Sequence, residues 1–309
     1  MSAASHEQPP NPLRTLLRSL GQIVLQRNAS TGLCMLAAWL VCDPRLACAA
    51  LTGAIAANVG AVLRGYAPDD TRDGLHGFNG ALAALAAFTF IADTATAMAV
   101  SILAATAAAW LLGPWARLLH SRGLGFYSSP CLLVTWAWLP FVHQAPAHAG
   151  VSKAVLWMSL AEGHGLLPGV AQTAFAFNAS AGLLILGGIA LSSIRCALFA
   201  LAGAALATAM HTLIGADGRS LDAGLLGFNG ALTALALNDC GALAAMGGVF
   251  VSVLGQQAAA YCGVPALTAP FVIATWTMRL LVRDTLHRDT NDRASPVENQ
   301  THRAVLPER

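Results

Sequence analysis

What the sequence most lacks is charge: Asp, Glu, Lys and Arg together make up 10% of its 309 residues. A soluble domain carries about 25%, so this chain cannot clothe a water-facing surface of the size its length requires. Lysine is nearly absent, Lys153 being the one example, and the arginines are scattered without interleaved aromatic residues. That excludes a nucleic-acid-binding face. Cys34, Cys42, Cys48, Cys131, Cys196, Cys240 and Cys262 form no CxxC pair and no Cys/His ligand spacing. An odd number of cysteines inside apolar runs reads as reduced thiols serving as small hydrophobic residues. No HExxH, Walker, GxSxG or paired-carboxylate motif occurs, so neither an enzyme nor a cofactor is expected. Residues 1–12 carry no basic n-region, apolar h-region or small-residue cleavage site, and no cleaved signal peptide is expected.

What the chain has is apolar length: 56% of it is hydrophobic, with a mean hydropathy of +0.60. The long runs are rich in Ala, Leu and Gly, as in membrane helices whose small residues let neighbours approach closely. An all-α integral membrane protein in a lipid bilayer is predicted.

The chain also repeats itself, and a repeat governs the fold. Residues 74–82 read GLHGFNGAL and residues 224–232 read GLLGFNGAL, an offset of 150. GQIVLQRNASTGL from Gly21 and AQTAFAFNASAGL from Ala171 pair Gln22 with Gln172, Asn28 with Asn178 and Gly32 with Gly182 at that same offset. SSPCLLVTW (128–136) and TAPFVIATW (268–276) are offset by 140, so ten residues were lost between the second and third matches. The expected organisation is a polar tail (1–11), a first membrane repeat (12–140), a linker and entry segment (141–161), a second membrane repeat (162–285) and a disordered C-terminal tail (286–309).

Each repeat holds five apolar stretches, near 31–43, 46–63, 78–92, 95–116 and 129–142, then near 180–192, 194–214, 224–238, 240–260 and 266–282. A span needs about 20 apolar residues, so several must tilt or have other boundaries. Arg14 and Arg18 flank the first stretches and Arg279, Arg283 and Arg288 the last, which predicts that both termini are cytoplasmic. The linker from Phe141 to Ser152 has no Lys or Arg, which suits the opposite side, whereas Arg45 sits awkwardly. An odd number of spans per repeat makes the halves inverted, with a site at their interface near mid-membrane. The predicted fold is two inverted five-helix repeats, each with re-entrant half-helices, around a central pore.

Three segments per half depart from ordinary spans. Gln22 and Gln172 lie in short helical stretches followed by Asn-Ala-Ser-x-Gly. Backbone at membrane depth must be hydrogen-bonded or line a wet cavity. A half-helix stopping at Asn28 or Asn178, with the next helix capped by Ser30 or Ser180, satisfies this and turns the glutamine carbonyl and NH₂ into a pore. The plainer reading is an amide bonding a neighbouring helix; recurrence in both halves favours the pore. In GFNGAL, Phe78 and Leu82, and Phe228 and Leu232, share a helical face at i and i+4, either as pore wall or as a Gly-rich packing face. Asn79 and Asn229 are expected to satisfy backbone rather than to touch a solute. Ser128 and Thr268 precede Pro130 and Pro270, near a helix start, as pore hydroxyls or as caps.

Asp93, Glu162, Arg195 and Asp239 lie near predicted ends and outside the paired motifs, and His76 pairs with Leu226. Ionisable groups inside a membrane mark ion or proton pathways, so their absence from the paired motifs argues against ion coupling and a charged substrate.

These motifs resemble the urea transporter family in its shorter bacterial form, over nearly the whole chain outside the tails. GQIVLQRNASTG resembles the family's Gln-containing half-helix, the two GFNGAL segments its repeated GxxGFN, and VPALTAPF (264–271) its LPxxTxPF signature, with Val264 for Leu. The resemblance implies passive permeation of urea, with short amides open, and a homotrimer in a bacterial inner membrane with one pore per protomer. It also implies Gln22 and Gln172 as polar filter residues, Phe78, Leu82, Phe175, Phe228 and Leu232 as slot walls, and Ser128 and Thr268 as central hydroxyls. Leu25 stands where Phe175 stands in the other half, Cys131 replaces phenylalanine, and Thr173 falls near an aliphatic filter position. A wider slot, or preference for another amide, is left open by these departures. Two rival readings remain: an ion-coupled secondary transporter of another small polar solute, and a non-transporting sensor that keeps the pocket.

Overall fold

The structure is a computed structural model that describes residues 11–142 and 165–284. The two predicted tails, most of the linker and Glu162 lie outside the described residues. The first half runs α1 (Pro12–Gly21), α2 (Ala29–Cys42), α3 (Pro44–Leu63), α4 (Pro68–Arg72), α5 (Gly77–Phe90), α6 (Thr94–His120) and α7 (Ser129–Trp138). The second runs α8 (Leu166–Ala171), α9 (Ala179–Ser192), α10 (Ile194–Ile214), α11 (Gly218–Asp222), α12 (Phe228–Ala236), α13 (Ala242–Tyr261) and α14 (269–284). Among the described residues there is no strand, and α1 to α7 correspond in order to α8 to α14. The apolar stretches read from sequence match α2, α3, α5, α6 and α7 and their five counterparts, except that α12 begins at Phe228, later than its stretch.

Four helices, α3, α6, α10 and α13, are long and apolar enough to cross a membrane by length and composition. Three of them, α3, α6 and α10, begin at short polar side chains. Asp43 Oδ1 accepts from Arg45 N (2.9 Å), Asp93 Oδ2 from Thr96 N (2.7 Å) and Ser193 Oγ from Cys196 N (3.3 Å). Each occupies an N-cap, where four backbone N–H groups lack a helical partner. Asp93 therefore serves a helix end, and its hydrogen bonds to Thr96 hold its carboxyl below the usual range.

The short helices end for a different reason. α1 and α8 each run into one turn of 3₁₀ helix (Gln22–Val24 and Gln172–Ala174) and stop where Leu25 and Phe175 adopt φ of +59°. Leu25 N and Gln26 N donate to the carbonyls of Gln22 and Gly21, and Phe175 N and Ala176 N to those of Gln172 and Ala171. This is the reversed hydrogen-bond pattern that glycine commonly closes. The next helix is capped by Asn28 and Asn178, whose Oδ1 atoms accept from Ser30 N (2.9 Å) and Ala181 N (2.8 Å). The sequence expectation of Ser30 and Ser180 as caps is corrected: their hydroxyls donate to those same asparagine oxygens. Asn28 and Asn178 hold the extended backbone of a cap, whereas Ser30 and Ser180 already lie inside the helix.

The halves join along α2 and α9, which pack on each other. Trp39 of α2 donates its indole N–H to the Ala174 carbonyl (2.8 Å), and Thr31 Oγ1 donates to the Gly188 carbonyl (2.7 Å). Within each half, paired glycines bring two helices into backbone contact. A Cβ on Gly53 or Gly80 would strike the other's carbonyl across α3 and α5, and Gly203 and Gly230 repeat this across α10 and α12.

Candidate functional site

The sequence repeat recurs at the level of single hydrogen bonds. Gln22 Nε2 donates to the Asp73 carbonyl (3.1 Å) and Gln172 Nε2 to the Ala223 carbonyl (2.8 Å), with both partners 150 residues on. A carbonyl accepts only from the NH₂ end of an amide, so this contact fixes each side chain's orientation. Each Oε1 is left without a protein partner among the described residues. One N–H of each NH₂ is engaged by the loop, so the part of each amide without a protein partner among the described residues is the Oε1 and the second N–H. Gln22 is 6% exposed and Gln172 partly so, placing both inside the protein.

Asn79 and Asn229 act as clips. Asn79 Nδ2 donates to the Tyr127 carbonyl and its Oδ1 accepts from Cys131 N, both 3.1 Å. Asn229 does the same with the Leu267 carbonyl (3.1 Å) and Phe271 N (3.3 Å). Tyr127 and Leu267 have φ of +45° and +47°. Together with Leu25 and Phe175 they are the four non-glycine residues of the described chain with positive φ, and they form two repeat pairs beside the paired motifs. Such backbone costs on the order of 1–3 kcal/mol per residue and persists where the surroundings over-determine it.

Each clipped turn delivers a hydroxyl to the junction of the halves. Ser128 Oγ and Thr268 Oγ1 lie 2.8 Å apart, each the other's repeat counterpart. Ser128 precedes α7 without capping it through its side chain. Two further bonds are reciprocal: Trp136 Nε1 donates to the Pro265 carbonyl (2.9 Å) and Trp276 Nε1 to the Gly125 carbonyl (2.7 Å). Equivalent residues touching each other, and exchanged pairs of contacts, are the signature of a two-fold relation.

A cavity of about 1390 Å³ opens beside these residues, with Gln172, Phe175, Phe228 and Thr268 on its wall. Asp217, Arg219, Ser220 and Asp222 line it as well, as do Gln256, Ala266 and Leu267. Sequence reasoning missed Gln256, which donates to the Leu225 carbonyl (2.7 Å) and accepts from Asn229 (2.9 Å). It has no counterpart in the first half, so the repeat could not reveal it. The backbone N–H of Ser220 bonds Asp217 and holds its carboxyl below the usual range.

Thr89 and Phe90, at the C-terminal end of α5, line this same cavity. Gln22 belongs to the other end of α5, through its bond to Asp73 just before the helix. A helix of 14 residues is about 20 Å long at 1.5 Å per residue, yet the turns Gln22–Val24 and Gln172–Ala174 that carry the two glutamines pack on each other.

The remaining expected residues divide. Phe78, Leu82, Ser128 and Leu232 are each 3–5% exposed, between the halves. Leu25 packs on the cluster that holds Leu232, and Phe175 on the cluster that holds Phe78 and Leu82, so each cluster draws on both halves. Thr173 does not join them. It is buried, its hydroxyl donates to the Val170 carbonyl (2.7 Å), and the cavity wall does not include it. A hydroxyl inside a helical turn satisfies itself on the carbonyl three or four residues back, which withdraws its polarity from the site. Among the described residues no cluster of three or more His, Cys, Asp or Glu side chains is placed to hold a metal ion.

A family model described as urea transporter matches residues 13–298, nearly the whole chain. No curated protein matches it.

Proposed function

Because the chain belongs to the urea transporter family, a family of multi-pass membrane proteins that carry urea, we propose that it conducts urea passively, as a channel, through a narrow uncharged passage between two inverted halves. The observation that carries this reading is the wall shared by Gln172, Phe175, Phe228 and Thr268 in one cavity. It joins acceptor, hydroxyl and flat apolar rings in one cavity, whose charged lining residues are Asp217, Arg219 and Asp222 at the short α11. Inversion of the halves is supported by the reciprocal tryptophan bonds, the Ser128–Thr268 contact and the meeting of the two glutamine-bearing turns, Gln22–Val24 and Gln172–Ala174.

Urea is small, planar and neutral, with one carbonyl and two NH₂ groups. Its barrier in a bilayer is desolvation, at roughly 2–7 kcal/mol for each polar group stripped of water without replacement. The Gln172 Oε1, oriented by the Ala223 carbonyl, accepts from a urea NH₂ as water is shed, and Gln22 Oε1 does so from the first half. Between them Ser128 and Thr268 take over, each hydroxyl able to donate to the urea carbonyl or accept from NH₂. Phe78, Phe175, Phe228, Leu25, Leu82 and Leu232 confine the molecule to its plane and exclude hydrated ions. Exit is fast because each contact is a single neutral hydrogen bond, and conduction requires binding weak enough to release. Further parts of the proposal, drawn from the family, are a homotrimer with one passage per protomer, a bacterial inner membrane, and cytoplasmic termini.

Proteoliposomes holding the purified protein are expected to admit urea faster than protein-free vesicles, with the rate unchanged when proton and sodium gradients are collapsed by ionophores. Uptake that requires either gradient would establish the ion-coupled alternative instead, and urea binding without permeation would establish a sensor. The axial hydroxyl pair supplies a second prediction. Thr268→Val keeps the side-chain volume but leaves Ser128 Oγ without its partner and one fewer polar rung. Urea flux is expected to fall about fivefold, the worth of one net hydrogen bond of about 1 kcal/mol; unchanged stopped-flow rates would remove the pair from the path.

A further inference from the structure

We infer that Phe126 is a specificity-determining wall residue of the first-half slot, supplying there the ring that Phe175 supplies in the second half. This rests on the proposed channel. By the repeat, Leu25 corresponds to Phe175 and Phe126 to Ala266. The second half thus has a large ring at the first position and a methyl group at the second, and the first half has the reverse exchange. Both members of the second-half pair, Phe175 and Ala266, lie on the cavity wall next to Phe228. In the first half, the Phe126 ring stacks on Phe78, the counterpart of Phe228, with centroids 6.1 Å apart and planes 23° from parallel.

Phe126, Leu25 and Phe175 all pack on the hydrophobic cluster that contains Phe78 and Leu82. The aromatic ring has moved from one side of the slot wall to the other while staying on the same surface. Offset stacking is a favourable arrangement for two rings and presents a flat face to a planar solute. The Phe126 side chain is held in place by its neighbour: Tyr127, in the left-handed conformation, is clipped by Asn79 and its hydroxyl accepts from Arg279 Nε (2.9 Å). A ring on so fixed a turn sets slot width instead of yielding to the solute.

The test compares permeability to urea and to N-methylurea, which adds one methyl group to the same planar core, in proteoliposomes. Phe126→Ala is expected to raise the N-methylurea-to-urea ratio by about tenfold, the lower end of what one methyl group is worth in a fitted site. Adding Leu25→Phe to that variant is expected to return the ratio toward the parent value. Phe126→Leu keeps apolar volume without a flat ring and is expected to raise the ratio in the same direction, so the test stands even where the alanine variant does not fold. A ratio unchanged in every folded Phe126 variant overturns the inference, as does a raised ratio that Leu25→Phe leaves uncorrected. The parent protein separates the two readings. Parent vesicles no more permeable to urea than empty ones refute the channel itself, whereas a conducting parent with unresponsive variants refutes only the role of Phe126.

Discussion

Replacing Gln172 by leucine is expected to lower urea permeability by about 5- to 150-fold, the loss of a hydrogen-bond acceptor inside the protein at about 1–3 kcal/mol. Two effects combine. The solute loses the oxygen that replaces water at the cavity, and the Ala223 carbonyl loses the NH₂ that donates to it at 2.8 Å. The second effect is local, because Ala223 lies at the end of the short α11, next to the cavity. Stopped-flow light scattering on proteoliposomes measures the first directly. The same substitution at Gln22 removes the equivalent bond to Asp73. There the loop is also tied by Arg18 and Arg27 to the Asp73 carboxylate, at 3.8 and 3.4 Å. These are partly exposed pairs of small worth, yet they are absent at Ala223. A fall in flux for Gln172→Leu with full retention of folding supports the filter role. Full flux would remove Gln172 from the path and with it the acceptor that the mechanism starts from.

The largest expected loss of stability comes from a methyl group. Gly80→Ala places a carbon where the Ala57 side chain and the Gly53 carbonyl already stand, at the crossing of α3 and α5. Backbone cannot yield as a flexible side chain can, and overpacking is expected to cost about 3 kcal/mol or more. The control is Gly187→Ala in α9, where nothing lies within 4 Å of the added carbon. Both changes replace a helical glycine by alanine, which by propensity alone is favourable by up to about 1 kcal/mol. Thermal denaturation in detergent is therefore expected to separate them, with Gly80→Ala melting well below the parent and Gly187→Ala at or slightly above it. Equal melting temperatures would show that the crossing can open by the width of a methyl group. Gly230→Ala, at the crossing of α10 and α12, meets Ala207 and the Gly203 carbonyl and is expected to behave like Gly80→Ala.

Much of the site was legible because evolution wrote it twice. Two copies of GFNGAL marked the asparagines, and the structure gives each the same pair of backbone partners. The glutamines were marked in the same way, although which end of the amide is engaged depends on a carbonyl 51 residues away. Position 126 was hidden for the opposite reason. Its counterpart is alanine, so no match drew attention to it, and the signal was a paired exchange: large for small at 126 and 266, small for large at 25 and 175. What the Thr173 hydroxyl bonds could not be read from sequence, because it depends on helix phase, and here it bonds its own turn.

Composition and repetition alone determined that the chain is helical, apolar and duplicated, because those properties follow from how often residue types occur and how far apart they recur. They also located the breaks, since proline, asparagine and glycine act on the backbone within a few residues. Tertiary structure alone decided which atoms meet across the two halves. That Ser128 meets Thr268, that Trp136 and Trp276 exchange contacts, and that the end of α5 reaches the cavity of Gln172 are long-range facts. A sequence fixes what each side chain can bond, and only the packed chain, by satisfying its buried backbone first, determines which groups are left over for a solute.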